Sequence, residues 1–251
     1  MAQTLSLRPN PDVAVPRTAM VMAAGLGKRM RPLTATRPKP LVEVAGKPLI
    51  DHVFDRLRSA GVERAVVNVH YLADVLEAHL THRVKGIDVV VSDERDQLLE
   101  TGGGLAKARP LLGDDPILCV NSDNLWIDGP IDAIIQLAQL WDASRMDALL
   151  LMVPLARAHG HGGLGDFHLG STGQILRRRA PGRLAPFVFT GVQILNPAII
   201  ADYPEGPFST NLFWQRAIEA GRAWGLAHEG LWFDVGSPPS IAMTEAMLAD
   251  G

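Results

Sequence analysis

The run Ala19–Leu49, AMVMAAGLGKRMRPLTATRPKPLVEVAGKPL, decides how the rest of the chain is read. Ala19–Ala24 is uninterrupted and apolar and Gly25 ends it, the pattern of a short parallel strand covered on both faces. The segment behind Gly25 has the character of neither helix nor strand. Glycines, four prolines and six of the chain's 24 Lys/Arg residues fall before Leu49. Pro48–Ala60 then has helical periodicity, with Pro48 in the first turn, Leu49, Ile50, Val53, Phe54 and Leu57 on one stripe, and Gly61 as the stop. Strand, cationic loop and helix in that order open an α/β unit, whose ligands bind beyond the carboxyl ends of the strands. The loop Gly25–Lys39 is therefore expected over the crevice. Glycines let backbone N–H groups close around an anion, and arginine forks suit phosphate oxygens. Pro32, Pro38 and Pro40 stiffen the segment, so less entropy is lost on binding. That is the chemistry of a polyphosphate cradle; the plain alternative is a solvated basic loop.

The rest of the chain alternates in the same way. Strands are predicted at 64–71, 86–94, 148–153, 187–197 and 224–227, and in PILCVNSDNLW as a single strand ending in polar residues. Helices are predicted at 72–80, 130–141, 211–220 and 244–248, with the glycines of LLETGGGLAKARPLL read as an interruption. The glycine- and histidine-rich region 157–179 suggests a small hairpin or lid. This pattern predicts an α/β fold with a doubly wound, mostly parallel sheet. Residues 1–18, with three prolines and no apolar core, read as a loose tail rather than a signal peptide, ahead of a single domain at 19–251.

Bulk properties narrow the function. A formal charge of −3 over 251 residues argues against generic binding to nucleic acid or to an anionic membrane. No apolar run approaches the roughly 18 residues that span a bilayer. The single cysteine, Cys119, lies in an apolar strand-like run; it excludes an intramolecular disulfide or a Cys-cluster metal site and reads as an inert thiol. A cytoplasmic protein with no obligate protein partner is the expectation.

The glycines alone specify little. GLGKRM lacks the third glycine of the dinucleotide fingerprint and is no Walker loop. The whole string AAGLGKRMRPLT…RPKPLVEVAGKPLI, however, closely resembles the signature of the sugar-1-phosphate nucleotidyltransferases, L-A-A-G-x-G-x-R-[ML]-x-P-L-T followed by P-K-P. The resemblance runs from about residue 19 to 245 through ETGGGL, VNSDNLW, FTGVQILNP and WFDVGSPPS. Within the family it is most similar to the N-acetylmuramate-1-phosphate uridylyltransferases. It implies a Rossmann-like, GT-A-like fold with a small sugar-binding hairpin insertion, a nucleotide-binding part at about 19–125 and a sugar-binding part at about 126–245. The implied reaction is transfer of a nucleoside monophosphate, UMP from UTP, to a sugar 1-phosphate with release of pyrophosphate. A guanylyltransferase acting on mannose or heptose 1-phosphate, a glucose-1-phosphate uridylyl- or thymidylyltransferase, and a non-catalytic nucleotide-sugar-binding regulator remain as alternatives.

The resemblance also assigns residues. Arg29 and Lys39 are implied to hold the triphosphate and the phosphate undergoing substitution, with Asp123 as the third catalytic residue. Ala23, Ala24, Gly25, Gly27, Lys28, Thr101, Gly102, Gly103 and Asn121 are implied to bind the nucleotide, with Glu94 or Glu100 as further partners of the base. Gly165, Thr190 and Gly191 are implied to line the sugar-phosphate pocket. Asp123 and Asp234, each at a strand's end, are implied to hold Mg²⁺, a hard cation that takes carboxylate and phosphate oxygens. Arg31 and Arg37 carry no firm assignment. One departure stands out: the Glu-Lys-Pro segment of many relatives is replaced by ILRRRAPGRLAP. An arginine of Arg177–Arg179 is the candidate to read an acidic group such as a lactyl carboxylate; a solvated hairpin edge is the alternative. His159 and His161 lie in a glycine-rich loop with no carboxylate near in sequence, which argues against a metal pair.

Overall fold

A computed structural model describes residues 14–203 and 205–249. Its strands and helices, in chain order, begin with β1 (Thr18–Met22), β2 (Glu43–Val44), β3 (Lys47–Pro48), α1 (Leu49–Ser59), β4 (Arg64–Val69), α2 (Ala73–Arg83), β5 (Asp88–Asp93) and α3 (Glu100–Leu112). They continue with β6 (Ile117–Asn121), β7 (Asn124–Ile127), α4 (Ala133–Leu140), β8 (Ala148–Pro154), β9 (Ala158–His159), β10 (Phe167–Leu169) and β11 (Ile175–Arg178). The last are β12 (Phe187–Leu195), α5 (Asn211–Glu219), β13 (Ala223–Ala227), β14 (Leu231–Asp234) and α6 (Pro238–Ala249).

Among the described residues, nine strands make one sheet, ordered β11-β10-β12-β6-β1-β4-β5, with β8 and β13 joined through β12. β6, β1, β4 and β5 run parallel, whereas β12 is antiparallel to both β6 and β8. Side chains alternate across this sheet because the strand period is two. Ala19 and Val21 of β1 face a core with Val53, Phe54 and Leu57 of α1, Leu76 of α2 and Ile134 of α4. Met20, between them, faces Leu105 and Ala108 of α3 and Phe213 and Trp214 of α5. Continuous apolar strands are thus covered on both faces, which is the doubly wound arrangement. Cys119 sits in the second core, and burial pushes its thiol up to about 12, as an inert buried cysteine requires.

Four expectations need correction. PILCVNSDNLW is two strands: β6 stops at Asn121, Ser122 N–H donates to the Met22 carbonyl (3.0 Å), and β7 departs into a second sheet ordered β7-β14-β9. Second, α3 runs straight through Gly102–Gly104. These glycines are demanded by packing, since a Cβ on Gly102 would lie 2.5 Å from the Phe208 ring and one on Gly103 2.2 Å from the Gly206 carbonyl oxygen. Third, the terminal helix begins at Pro238, not at residue 244; prolines fit a helix's first turn, where no backbone N–H is needed. Fourth, the described chain is tied down before residue 18: Pro16 is buried, and the Arg17 carbonyl accepts from the N–H groups of Glu63 and Arg64. Residues 1–13 of the expected tail lie outside the described residues.

A third, smaller core forms under the cationic loop. Met30, Val42, Val44 and Leu49 pack there on Leu125, Phe233 and Val235, with Ile241 and Met247 of α6 alongside. Apolar residues scattered through a polar loop thereby fix its base against the second sheet, and the cations are left on top.

Candidate active site

The loop is shaped by its own hydrogen bonds. Gly27 adopts φ +60°, and its carbonyl accepts from Met30 N–H (2.9 Å) and from the buried Thr34 hydroxyl (2.8 Å). Tyr71 clamps the next turn by donating its hydroxyl to the Thr34 carbonyl (2.9 Å). A Cβ on Gly27 would meet Thr34 Cγ2 at 2.9 Å and Lys39 Cβ at 3.0 Å, so glycine is what lets the loop's two ends cross. The crossing encloses a cavity of about 240 Å³ lined by Gly25, Gly27, Arg29, Lys39, Asp123 and Gly236, among others. Lys28 and Arg29 are exposed at its edge, Arg31 is exposed beyond them, and Arg37 lies 3.9 Å from Glu43.

Lys39, its side chain only 12% exposed, forms an ion pair with Asp123 in this cavity. Asp123 is the hinge between β6 and β7. The β7–β14 ladder places Asn124 directly opposite Asp234, so Asp123, 111 residues before Asp234 in sequence, adjoins the last rung of that ladder. Asp234 Oδ1 and both terminal nitrogens of Arg29 close over Gly236, where a Cβ would lie 2.9 Å from the first and 3.0 and 3.1 Å from the others. The three residues expected to be catalytic, Arg29, Lys39 and Asp123, and the second expected metal ligand, Asp234, therefore lie around one place.

The same place fits a divalent cation. Among the described residues no cluster of three or more His, Cys, Asp or Glu forms a complete metal cage. Two carboxylates completed by substrate phosphates are the usual holder of Mg²⁺. That the Lys39 ammonium is already drawn to Asp123 marks the position as one that attracts a cation.

The residues expected on the sugar side lie on β12 and beside it. The register of β12 against β8 shifts between Phe189 and Gln193, and Gly191 at the shift has φ +85°. The Asn121 and Asn124 side-chain amides lie over Gly191; that of Asn124 is buried and has no hydrogen-bond partner among the described residues. Thr190 departs from expectation: it is buried and donates its hydroxyl to the Leu151 carbonyl (2.9 Å), so it fixes the strand and presents no hydroxyl to a ligand. Gly165, at φ +79°, permits a close crossing, since a Cβ there would lie 2.1 Å from the Ala185 carbonyl oxygen. The Arg177–Arg179 run divides. Arg179 donates to the carbonyls of Gly165 (3.0 Å), Ala180 (3.3 Å) and Arg183 (3.4 Å) and is committed to the loop, while Arg177 and Arg178 are exposed on the edge strand β11.

The base-binding turn also differs from expectation. Gly102 and Gly103 donate their N–H groups to the Phe208 carbonyl (2.7 and 3.0 Å), and Thr101 Oγ1 accepts from Thr210 N–H (3.0 Å). These bonds occupy two of the open N–H groups at the start of α3, so the Gly102 and Gly103 N–H groups are committed within the protein. Glu100 is exposed, with φ +59°. Glu94 is fully buried instead. It accepts from the Asn68 side-chain amide (2.8 Å) and from Leu99 N–H (3.2 Å), and Asn68 in turn accepts from Ala23 N–H (2.6 Å). Ala23 and Ala24, both buried, thus belong to a wall locked to β5 and α3.

Burial pushes the Glu94 carboxyl above its usual value near 4.5, against the opposing pull of its two hydrogen bonds. The folded state therefore holds this proton more tightly than the unfolded one. Stability from that source is full below pH about 4.5 and is lost as pH rises through the raised value. Glu94→Gln is expected to flatten the decline of Tm between pH 5 and 7.5, followed by calorimetry; an unchanged slope would contradict it. His228, held low mainly by burial, contributes the opposite slope below its usual 6.5, and being present in both proteins it cancels in the comparison.

These features define a class. A profile of the nucleotidyl transferase family matches residues 18–251, and the chain belongs to that family, within its sugar-1-phosphate nucleotidyltransferases. It is 50% identical over 238 residues to the N-acetylmuramate alpha-1-phosphate uridylyltransferase of Caulobacter vibrioides, covering 94% of this chain and 98% of that one. It is 35% identical over 239 residues to the protein of the same name from Neisseria meningitidis serogroup B, covering 91% and 97%. Among solved structures, UDP-glucose pyrophosphorylase complexed with UDP-glucose aligns with a TM-score of 0.77 at 18% identity, covering 93% of this chain and 98% of that one. HddC from Yersinia pseudotuberculosis complexed with GMP-PN aligns at 0.74 and 22% identity, covering 92% and 99%. Those two likenesses show the fold. No helix among the described residues is long and apolar enough to cross a membrane.

Proposed function

We propose that this protein transfers UMP from UTP to N-acetylmuramic acid α-1-phosphate, giving the UDP-sugar and pyrophosphate. The observation that carries the reading is the 50% identity, across 94% of the chain, to a relative bearing that activity in its name. The geometry supplies what such a step needs, since in-line displacement at phosphorus depends on neutralised charge and on aligned nucleophile and leaving group.

In this reading the triphosphate enters the cavity under Gly25 and Gly27, with Lys28 and Arg29 on its β- and γ-phosphates. Lys39 leaves Asp123 for the α-phosphate and stabilises the charge that develops there. Asp123 and Asp234 would hold a divalent cation such as Mg²⁺, which would supply neutralisation of phosphate charge. Asn121, Gly191 and Gly165 line the approach of the sugar phosphate. The chain acts as one domain from about residue 19, its nucleotide part ending near 125 and its sugar part near 245, in the cytoplasm and on small molecules alone.

The test is pyrophosphate release from UTP, GTP, CTP and dTTP, each against the 1-phosphates of N-acetylmuramate, N-acetylglucosamine, glucose and mannose. UTP with N-acetylmuramate 1-phosphate is expected to give the highest kcat/KM. A higher value for GTP with mannose 1-phosphate would overturn the assignment.

A further inference from the structure

The carboxylate of Asp234 has a neighbour that neither the motifs nor the family likeness assigns. β9 runs parallel to β14, pairing Ala158 with Trp232 and His159 with Phe233. The next residue of the chain, Gly160, passes so close to β14 that a Cβ on it would lie 2.9 Å from the Asp234 carbonyl oxygen. Its φ of +77° turns the chain back, and His161 N–H returns to the Ala158 carbonyl (3.3 Å). This turn sets the His161 ring beside Asp234, with Nδ1 3.6 Å from Oδ2 and the side chain 18% exposed. The rest of the ring is confined: its centroid is 6.3 Å from that of Trp232, and Nε2 is buried without a hydrogen-bond partner among the described residues. Gly163 covers Nε2, since a Cβ there would lie 2.5 Å from it.

The two oxygens of Asp234 therefore face different ways. Oδ1 faces Gly236, where the Arg29 fork also lies, while Oδ2 faces the one ring nitrogen of His161 that has a polar group before it. A separation of 3.6 Å is just beyond a hydrogen bond, and a small turn of the carboxylate closes it. We propose that His161 is a positioning residue: its Nδ1–H donates to Asp234 Oδ2, leaving Oδ1 for a divalent cation and tying the glycine-rich segment 160–165 to the cation site. The inference rests on reading Asp234 as a ligand of that cation. Partners that orient a ligating carboxylate commonly change metal affinity about 10–100-fold when removed.

Two substitutions separate this role from simple packing. His161→Phe keeps a ring against Trp232 but loses the donor. His161→Asn loses the ring but can place an amide N–H near the position of Nδ1. Mn²⁺ binding by the full chain, in the presence of the α,β-methylene analogue of UTP, is followed by electron paramagnetic resonance. His161→Phe is expected to weaken Mn²⁺ binding about 10-fold or more with an unchanged Tm, whereas His161→Asn stays within about threefold of wild type. In turnover, the Phe variant is expected to lower kcat and raise the Mg²⁺ concentration needed for half-maximal rate, with KM for UTP little changed. Wild-type Mn²⁺ affinity in the Phe variant, or equal losses in both, would overturn the proposal. Asp234→Asn is the separate control: if it leaves Mn²⁺ affinity unchanged, the reading of Asp234 itself fails, and His161 falls with it.

Discussion

Asp123→Asn is expected to lower kcat/KM by about 10²–10³-fold, a loss of about 3–4 kcal/mol of transition-state stabilisation. Asp123 has two jobs that pull on the same atoms. It balances Lys39, whose side chain is only 12% exposed, and it stands one residue from the rung that carries Asp234. The asparagine keeps an oxygen to accept from the Lys39 ammonium, so the fold is expected to survive with a Tm within a few degrees of wild type. What it loses is the charge that would hold a cation and release Lys39 to the phosphate. Lys39→Met is expected to fall by a similar factor, because the charge developing on the phosphate loses its nearest ammonium. The double variant should then be little worse than either single one, since residues that act as a unit are not additive. Single-turnover pyrophosphate release at saturating Mg²⁺ measures all three. An Asp123→Asn enzyme with more than a tenth of wild-type kcat/KM, or strictly multiplicative losses, would show that the pair does not work on one phosphate.

How much of the molecule was legible beforehand depends on which contacts are local. β1, the loop and α1 were readable because an apolar run, a glycine stop and a 3.6-residue stripe are written in consecutive residues. The strand break at Ser122–Asp123 was not, because the apolar LWI beyond it continues the same composition while the chain moves to another sheet. The glycines 102–104 looked like punctuation. Their reason is the segment around Gly206–Ser209, about a hundred residues away, lying against one face of α3, and no local window contains it. Thr190 was assigned to a ligand from its motif, yet its hydroxyl is taken by the β8 backbone. The His161–Asp234 approach depends on the β9–β14 register, a pairing across more than 70 residues, and so the loop read in isolation had no carboxylate near it. Arg29, Lys39, Asp123 and Asp234 come together for a different reason: their motifs encode a convergence that local physics leaves open.

The last prediction concerns β12, the strand on which the proposed sugar side rests. Gly191→Ala is expected to destabilise the protein by about 3 kcal/mol, a fall in Tm of about 6–12 °C for a chain of this size. Two costs add. Gly191 has φ +85°, where an L side chain is strained by about 1–2 kcal/mol. The new methyl would also lie 1.9 Å from Asn124 Nδ2 and 2.8 Å from Asn121 Nδ2, and overpacking of that kind costs about 1–3 kcal/mol. The second cost can be isolated. Asn124→Ala removes the closest clash together with an amide nitrogen that is buried and unpartnered among the described residues, so the double variant should be more stable than the sum of the singles. Gly25→Ala is the contrast: its Cβ would meet nothing within 4 Å and its backbone is not left-handed, so its Tm should stay within about a degree, a surface-scale effect. Activity should follow geometry as well as stability. Asn121 comes just after the last rung that β6 shares with β12, Asp123 and Asn124 lie a step beyond it, and a bulge pushed outward by the methyl moves the amides that share their turn. Gly191→Ala assayed about 15 °C below its own Tm is therefore expected to have a raised KM for the sugar phosphate, with KM for UTP near wild type. Equal changes in both constants would mean that the bulge shapes the whole site and not the sugar side alone.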